Sequence, residues 1–256
     1  MKWFKRIGCA VLILVIASVM YVAINDAGVV SVEYADSTNR DHQELKRGLE
    51  QSGIFQLAAD DLDAVFLVPR DLKIAFADCG APNAAYDPAQ RAIIMCYELV
   101  GQLVRDYRRY APTDSALEVS VWQTSLFVFY HEVGHALVDL LDLPVTGREE
   151  DAADQLATIV LLEDGVEGRD ATLRGAEWFQ LNSRRSGPRT PFWDEHSLDQ
   201  QRYFNILCWV YGSDPAGHQA LLGREWGLPR DRADRCPAEY DRMSRAWQSM
   251  LAPYKH

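Results

Sequence analysis

His131 and His135, with Glu132 beside the first, are the residues whose types and spacing could do chemistry. They lie in the apolar stretch Val128-Phe129-Tyr130-His131-Glu132-Val133-Gly134-His135-Ala136-Leu137. On a helix, residues four apart are separated by about 40° around the axis, so the two imidazoles would leave one face, one turn apart. That supplies half of a tetrahedral zinc site. Glu132, rotated by about 100° from His131, is not directed as a third ligand. It would lie beside the metal, where a carboxylate can take a proton from an activated water, so its expected role is general base. The competing reading is a pair of core histidines satisfied by hydrogen bonds, and a third ligand decides between the two.

The elements that follow supply one. The metal-bearing helix is expected to be capped by Asp114 or Ser115, to run from Ala116 to about Asp142, and to end at Leu143-Pro144-Val145. Thr146-Gly147-Arg148-Glu149 then has the form of a capping box that starts a new helix. On that helix Glu150 and Asp154 are one turn apart and share a face with Ala157 and Leu161. Carboxylates that continue an apolar stripe face inward, where they are costly unless paired with a cation. Glu150 is therefore expected as the third metal ligand, and Asp154 as the acceptor for the outer ring nitrogen of a ligand histidine. Glu149 is assigned to the cap, and Asp151 to the outer face with Gln155 and Thr158. An acidic helix start favoured by the macrodipole would account for Glu149, Glu150 and Asp151, but not for Asp154.

Further along, His196 stands just before a helix expected from about Leu198 to Tyr211. It is the best remaining candidate to stabilise an oxyanion; Arg202 and Tyr203 are weaker ones, and a helix-capping histidine is the plain alternative. His218 and His256 have no companions at ligand spacing.

The run His131-Glu132-Val133-Gly134-His135, with Leu143-Pro144, Gly147-Arg148-Glu149-Glu150 and Asp154-Gln155-Leu156-Ala157, resembles a bacterial family of metallopeptidase-like proteins catalogued as a domain of unknown function. More distantly it is similar to the gluzincins, thermolysin-like peptidases with HExxH and ExxxD. The resemblance extends from about Pro69, through Asn83 to Pro88 and Cys96-Tyr97-Glu98, to Glu195 through Arg202 and Cys208. It implies a peptidase.

Residues 1–24 hold Lys2, Lys5 and Arg6, then an apolar run from Ile7 to Ile24. Eighteen apolar residues suffice for a short transmembrane helix, and no clean small-x-small cleavage site follows. An uncleaved signal anchor is expected, with its basic flank in the cytoplasm and the domain facing the periplasm or outside; cleavage would make the protein secreted. Residues 25–38 read as a linker and 39–256 as one catalytic domain, a length that can bury a sizeable core. Cys9 lies within the apolar run. Cys79, Cys96, Cys208 and Cys236 form an even set in an exported chain, so two disulfides are expected. Of three possible connectivities, Cys79–Cys96 and Cys208–Cys236 are favoured, because each pair brackets a turn-rich local unit. The net charge of −11 becomes −14 outside the first 24 residues, which carry three of the 26 basic residues and none of the 37 acidic ones. So acidic an exported domain disfavours nucleic acid or an anionic bilayer surface as its partner, which leaves the N-terminal helix as the expected contact with the membrane.

The expected fold is α+β, predominantly helical and zincin-like, with a small β-hairpin and a central HExxH helix. Val65 to Pro69 and Lys73 to Ala77 read as extended segments. Turn residues in Gly80 to Asn83 and Asp87-Pro88 would return the chain as a strand over Ala92 to Cys96, whose edge could pair with a peptide. The expected function is that of a zinc peptidase acting on peptide or protein substrates with one Zn2+. A diiron bundle would need a second ExxH, which the chain lacks. A zinc-stabilised, non-hydrolytic sensor domain would keep the ligands but have no use for Glu132.

Overall fold

A computed structural model describes residues 28–185 and 195–256. The expected membrane segment at 1–24 lies outside these residues, and no helix among them is long and apolar enough to cross a membrane.

The chain enters on strand β1 (Val30–Tyr34), then forms helices α1 (Arg40–Ser52) and α2 (Ile54–Val65). Gly53 separates the two helices at φ +64, a left-handed conformation that glycine adopts without a Cβ penalty. Strands β2 (Leu72–Ala77), β3 (Ala84–Asp87) and β4 (Ala92–Cys96) follow, then helices α3 (Tyr97–Arg108) and α4 (Asp114–Leu140). The remainder is helical: α5 (Glu149–Glu163), α6 (Gly165–Ser183), α7 (Asp199–Ser213), the single turn α8 (Arg230–Ala233) and α9 (Cys236–Leu251).

The sheet order is β1-β2-β4-β3, with β1, β2 and β4 parallel and β3 antiparallel at the edge. This corrects three expectations. β2 and β4 do not form a hairpin, because β3 fills the connection between them and takes the antiparallel place beside β4. Accordingly β4 is an interior strand and the edge on that side belongs to β3. The stretch expected as a linker contains β1, whose residues pair in register from Val30↔Leu72 to Tyr34↔Phe76. In the segment Val65 to Pro69, Val65 ends α2 and Phe66 is extended, making one isolated bridge to Lys255, so the segment adds no strand to the sheet.

α4 lies at the centre of the molecule. Phe127, Phe129, Val133, Ala136 and Leu137 are all buried, as expected for a helix that is apolar nearly all round. Thr113 caps it, accepting from the Ala116 amide at 3.1 Å, in place of Asp114 or Ser115. Both favoured disulfides are present. Cys79–Cys96 joins the end of the β2 segment to the end of β4, and Cys208–Cys236 joins α7 to α9.

Candidate metal centre

α4 places His131 and Glu132 in its buried half, each 6% exposed, with His135 half-buried one turn on. α5 crosses α4 at Gly134, where a Cβ would come within 2.8 Å of the Ala153 Cα. The absence of a side chain at Gly134 therefore sets how near α5 can come, and Ala153 lies between Glu150 and Asp154. Both carboxylates reach the histidines through that close approach.

The three candidate ligands converge. His131 Nε2 lies 3.1 Å from Glu150 Oε2, and His135 Nε2 lies 3.5 Å from Glu150 Oε1. The two Nε2 atoms are 3.3 Å apart. Ligands about 2.1 Å from a shared ion at tetrahedral angles lie about 3.4 Å from one another. The outer nitrogens explain why this spacing calls for a cation. His131 Nδ1 is 2.9 Å from Asp154 Oδ1, and His135 Nδ1 is 2.7 Å from Glu149 Oε1. With each Nδ1–H donating to a carboxylate, a neutral ring turns its Nε2 lone pair toward the same point beside a third carboxylate. A shared cation satisfies all of these atoms, and two nitrogens with one carboxylate are a donor set suited to zinc.

Glu149 thus sits on His135 and not in a cap. No side chain caps α5, and its N-cap residue is Arg148. Thr158, expected on the outer face, is fully buried and donates to the Asp154 carbonyl at 2.9 Å. Asp151 accepts from Ser197 Oγ at 2.7 Å, which ties α5 to the segment entering α7.

Behind Asp154 stands Arg202, which was expected only as a weaker candidate for the oxyanion and is instead paired with this carboxylate. Its Nε and Nη2 donate to the two oxygens of Asp154 at 2.7 and 2.6 Å, and its guanidinium carbon lies 3.8 Å from the centre of the Phe179 ring. Burial alone would push the Asp154 carboxyl up. The charge and hydrogen bonds of Arg202, aided by His131, outweigh burial and hold it down at about 2. His135 is likewise driven down by burial but up by Glu150 and Glu149, and the carboxylates prevail at about 9. The same histidines hold Glu150 far below the usual carboxylate range despite its burial.

Glu132 is different. Burial pushes its carboxyl up; the histidines oppose this shift, and so does the nearby Tyr86 backbone N–H. It is not among the ligand atoms that cluster with His131, His135 and Glu150.

His196 is exposed, and its Nε2 reaches 3.0 Å from Glu150 Oε2. Arg148 donates to its carbonyl at 3.2 Å. Tyr203, by contrast, is buried away from the cleft and donates to the Trp226 carbonyl.

The site opens into a cleft of about 880 Å³, walled on one side by β3 from Asn83 to Tyr86 and on the other by Glu149, Glu195 and His196. The Cys96 amide donates to the Asn83 carbonyl, so in the antiparallel alternation Asn83, Ala85 and Asp87 bond to β4. Ala84 and Tyr86 turn their backbone groups the other way, which is how the Tyr86 amide comes to Glu132.

Two histidines from one helix and a carboxylate from the helix packed across it make a three-donor centre at the floor of a cleft. Such a constellation is the kind used by metal-dependent hydrolases. The chain belongs to the domain-of-unknown-function family whose description reads “Putative metallopeptidase”, which matches residues 34–251. No curated protein and no solved structure matches it.

Proposed function

We propose that the protein is a zinc-dependent peptidase that works outside the cytoplasm, held there by its N-terminal segment. The observation that carries this reading is the convergence of His131, His135 and Glu150 within 3.1 to 3.5 Å, beside a buried glutamate that is not part of the donor set. Zinc held by those three residues would supply Lewis acidity toward a scissile carbonyl and lower the pKa of a water. Glu132, beside the Tyr86 amide and with its proton affinity raised by burial, takes the proton of the attacking water and passes it to the leaving amine. His196 stands at the rim, where its ring can donate to the carbonyl oxygen as negative charge develops. Asp154 and Glu149 fix the histidine tautomers, and Arg202 keeps Asp154 ionised. The two disulfides suit an oxidising compartment.

The acidic cleft wall, with Asp139, Asp142 and Glu195, favours neutral or basic peptides. β3 offers the backbone of Ala84 to an extended chain. Purified protein should contain one zinc per chain by elemental analysis. Glu132→Gln should keep that zinc and lose hydrolysis of a peptide library by about 10²- to 10⁴-fold. A non-hydrolytic sensor would show equal zinc and no cleavage in either form.

A further inference from the structure

The three parallel strands all begin at one end of the sheet. Val30, Leu72 and Ala92 are their first residues, and the segments before them are joined. The Leu72 amide donates to the Val29 carbonyl at 3.1 Å, and the Lys73 amide to the Arg91 carbonyl at 3.0 Å. The C-terminal ends of α2 and α4 arrive at this same end. The Gly28 amide donates to the Val68 carbonyl at 2.8 Å, the Leu67 amide to the Tyr254 carbonyl at 2.7 Å, and the Tyr254 hydroxyl to the Leu141 carbonyl at 3.1 Å. A continuous line of contacts therefore runs from Gly28, past the end of α2 and the C-terminal residues, to the end of the metal-bearing helix.

The cleft reaches that end too. Beyond His135 it is walled by Tyr86 and Pro88 at the end of β3 and by Asp139, Asp142 and Leu143 at the end of α4. Tyr86 joins the two walls by donating to Asp139 Oδ2 at 2.8 Å.

The start of the domain limits where a membrane can be. The apolar run from Ile7 to Ile24 stops four residues before Gly28, where the described residues begin. Four residues of fully extended chain span at most about 14 Å. An anchor ending at Ile24 therefore holds the Gly28 end of the domain within that distance of the bilayer. The side chains presented there suit such a neighbour. Val29 is 57% exposed and Val65 41%. Arg70 and Lys255 are exposed beside them, as cations that settle at headgroup level are. The adjoining acids, Asp63 and Asp71, accept from the Val30 and Val29 amides at 3.2 and 3.0 Å.

We infer that this end of the domain is its bilayer-facing surface, and that the outer end of the cleft opens beside the membrane. The occupant is the lipid bilayer that holds the N-terminal segment, so the inference rests on the proposed anchor and not on the proposed chemistry. A polypeptide lying in the cleft then has one end close to the headgroups. The opposite end of α4 supplies a control: Val119, exposed at 47%, lies 22 residues before Leu141, about 33 Å along the helix.

The test reconstitutes the full chain in phosphatidylcholine vesicles, with the photo-crosslinking residue p-benzoylphenylalanine replacing Val29, Val65, Ala89 or Val119, one at a time. All four positions are exposed, so none belongs to the core, and circular dichroism checks the fold of each variant. Flotation reads whether the chain is held by the vesicles, and mass spectrometry after illumination reads phospholipid adducts. Positions 29, 65 and 89 should carry at least about tenfold more adduct than position 119, because the headgroup layer is only about 5–8 Å deep. Equal yields at all four positions, or crosslinks at 29 and 65 to a second copy of the chain in place of lipid, overturn the assignment. Adducts at 29 and 65 without any at 89 overturn the opening of the cleft beside the bilayer. A chain that does not float overturns the anchor and this surface together, whereas one that floats but yields no adduct at 29, 65 or 89 overturns the surface and leaves the anchor standing.

Discussion

Glu149 and Asp154 do for two histidines what neither histidine can do alone. Each accepts an Nδ1–H and so directs the opposite nitrogen at the same point in space. Glu149→Gln is expected to weaken zinc binding by about 10- to 100-fold without unfolding the protein, measured by competition with a chromophoric chelator. Asp154 carries a second burden because it is buried with Arg202. Arg202→Met leaves that buried carboxylate with only the His131 ring as a partner and should destabilise the metal-free protein by about 3–5 kcal/mol in denaturant unfolding. Arg202→Met with Asp154→Leu, which removes both charges, should recover most of the loss while zinc affinity stays low. His131, His135 and Glu150 were legible because helical spacing fixes what shares a face. The role of Glu149 was not, since a glutamate in the first turn of a helix satisfies the macrodipole equally well. Arg202 was under-weighted for another reason: its partner lies 48 residues away, and spacing carries no signal at that range.

Between elements, the decisive contact is the crossing of α4 and α5. Gly134→Ala would force a Cβ against Ala153, where it has 2.8 Å to the Cα. The helices must separate by several tenths of an ångström, and a site built to such tolerances should lose zinc affinity well before it loses helicity. Chelator competition and circular dichroism on the same sample check this. The sheet was half legible. Ala92-Ile93-Ile94-Met95-Cys96 is an apolar run without alternation, the pattern of a strand covered on both faces, and four of its five residues are buried. That pattern argues for an interior strand, whereas the turn residues between β2 and β4 argued for a hairpin. The turns were real but led into β3. β1 was missed because Val30 to Tyr34 alternates valine with polar residues over only five positions, and its partner β2 lies beyond two helices. The alternation along β3 has its own test. By hydrogen exchange, the Ala85 amide, paired toward β4, should be protected, while the Ala84 amide, facing the cleft, should exchange freely until a peptide binds.

For the molecule as a whole, the two disulfides fasten regions on either side of the centre. Cys79–Cys96 closes the sheet over a separation of 17 residues and Cys208–Cys236 closes the C-terminal helices over 28. Loops of these lengths are each worth about 3 kcal/mol. Reduction of one should therefore lower Tm by roughly 6–12 °C for a domain of this size, read by scanning calorimetry with and without reductant. The family match runs from 34 to 251, and one large core joins the sheet, α4 and the C-terminal helices.

The pairing of Arg202 with Asp154 also gives the centre an order of assembly. His131, His135, Glu149, Glu150 and Asp154 fall within one short span of chain, yet the cation that offsets Asp154 comes from 48 residues later. A polypeptide emerging N-terminus first presents all the candidate ligands before their buttress exists. The competent centre is therefore acquired late, once α7 has been delivered and docked, and any nick or stall that withholds α7 leaves a chain with every ligand and no finished site.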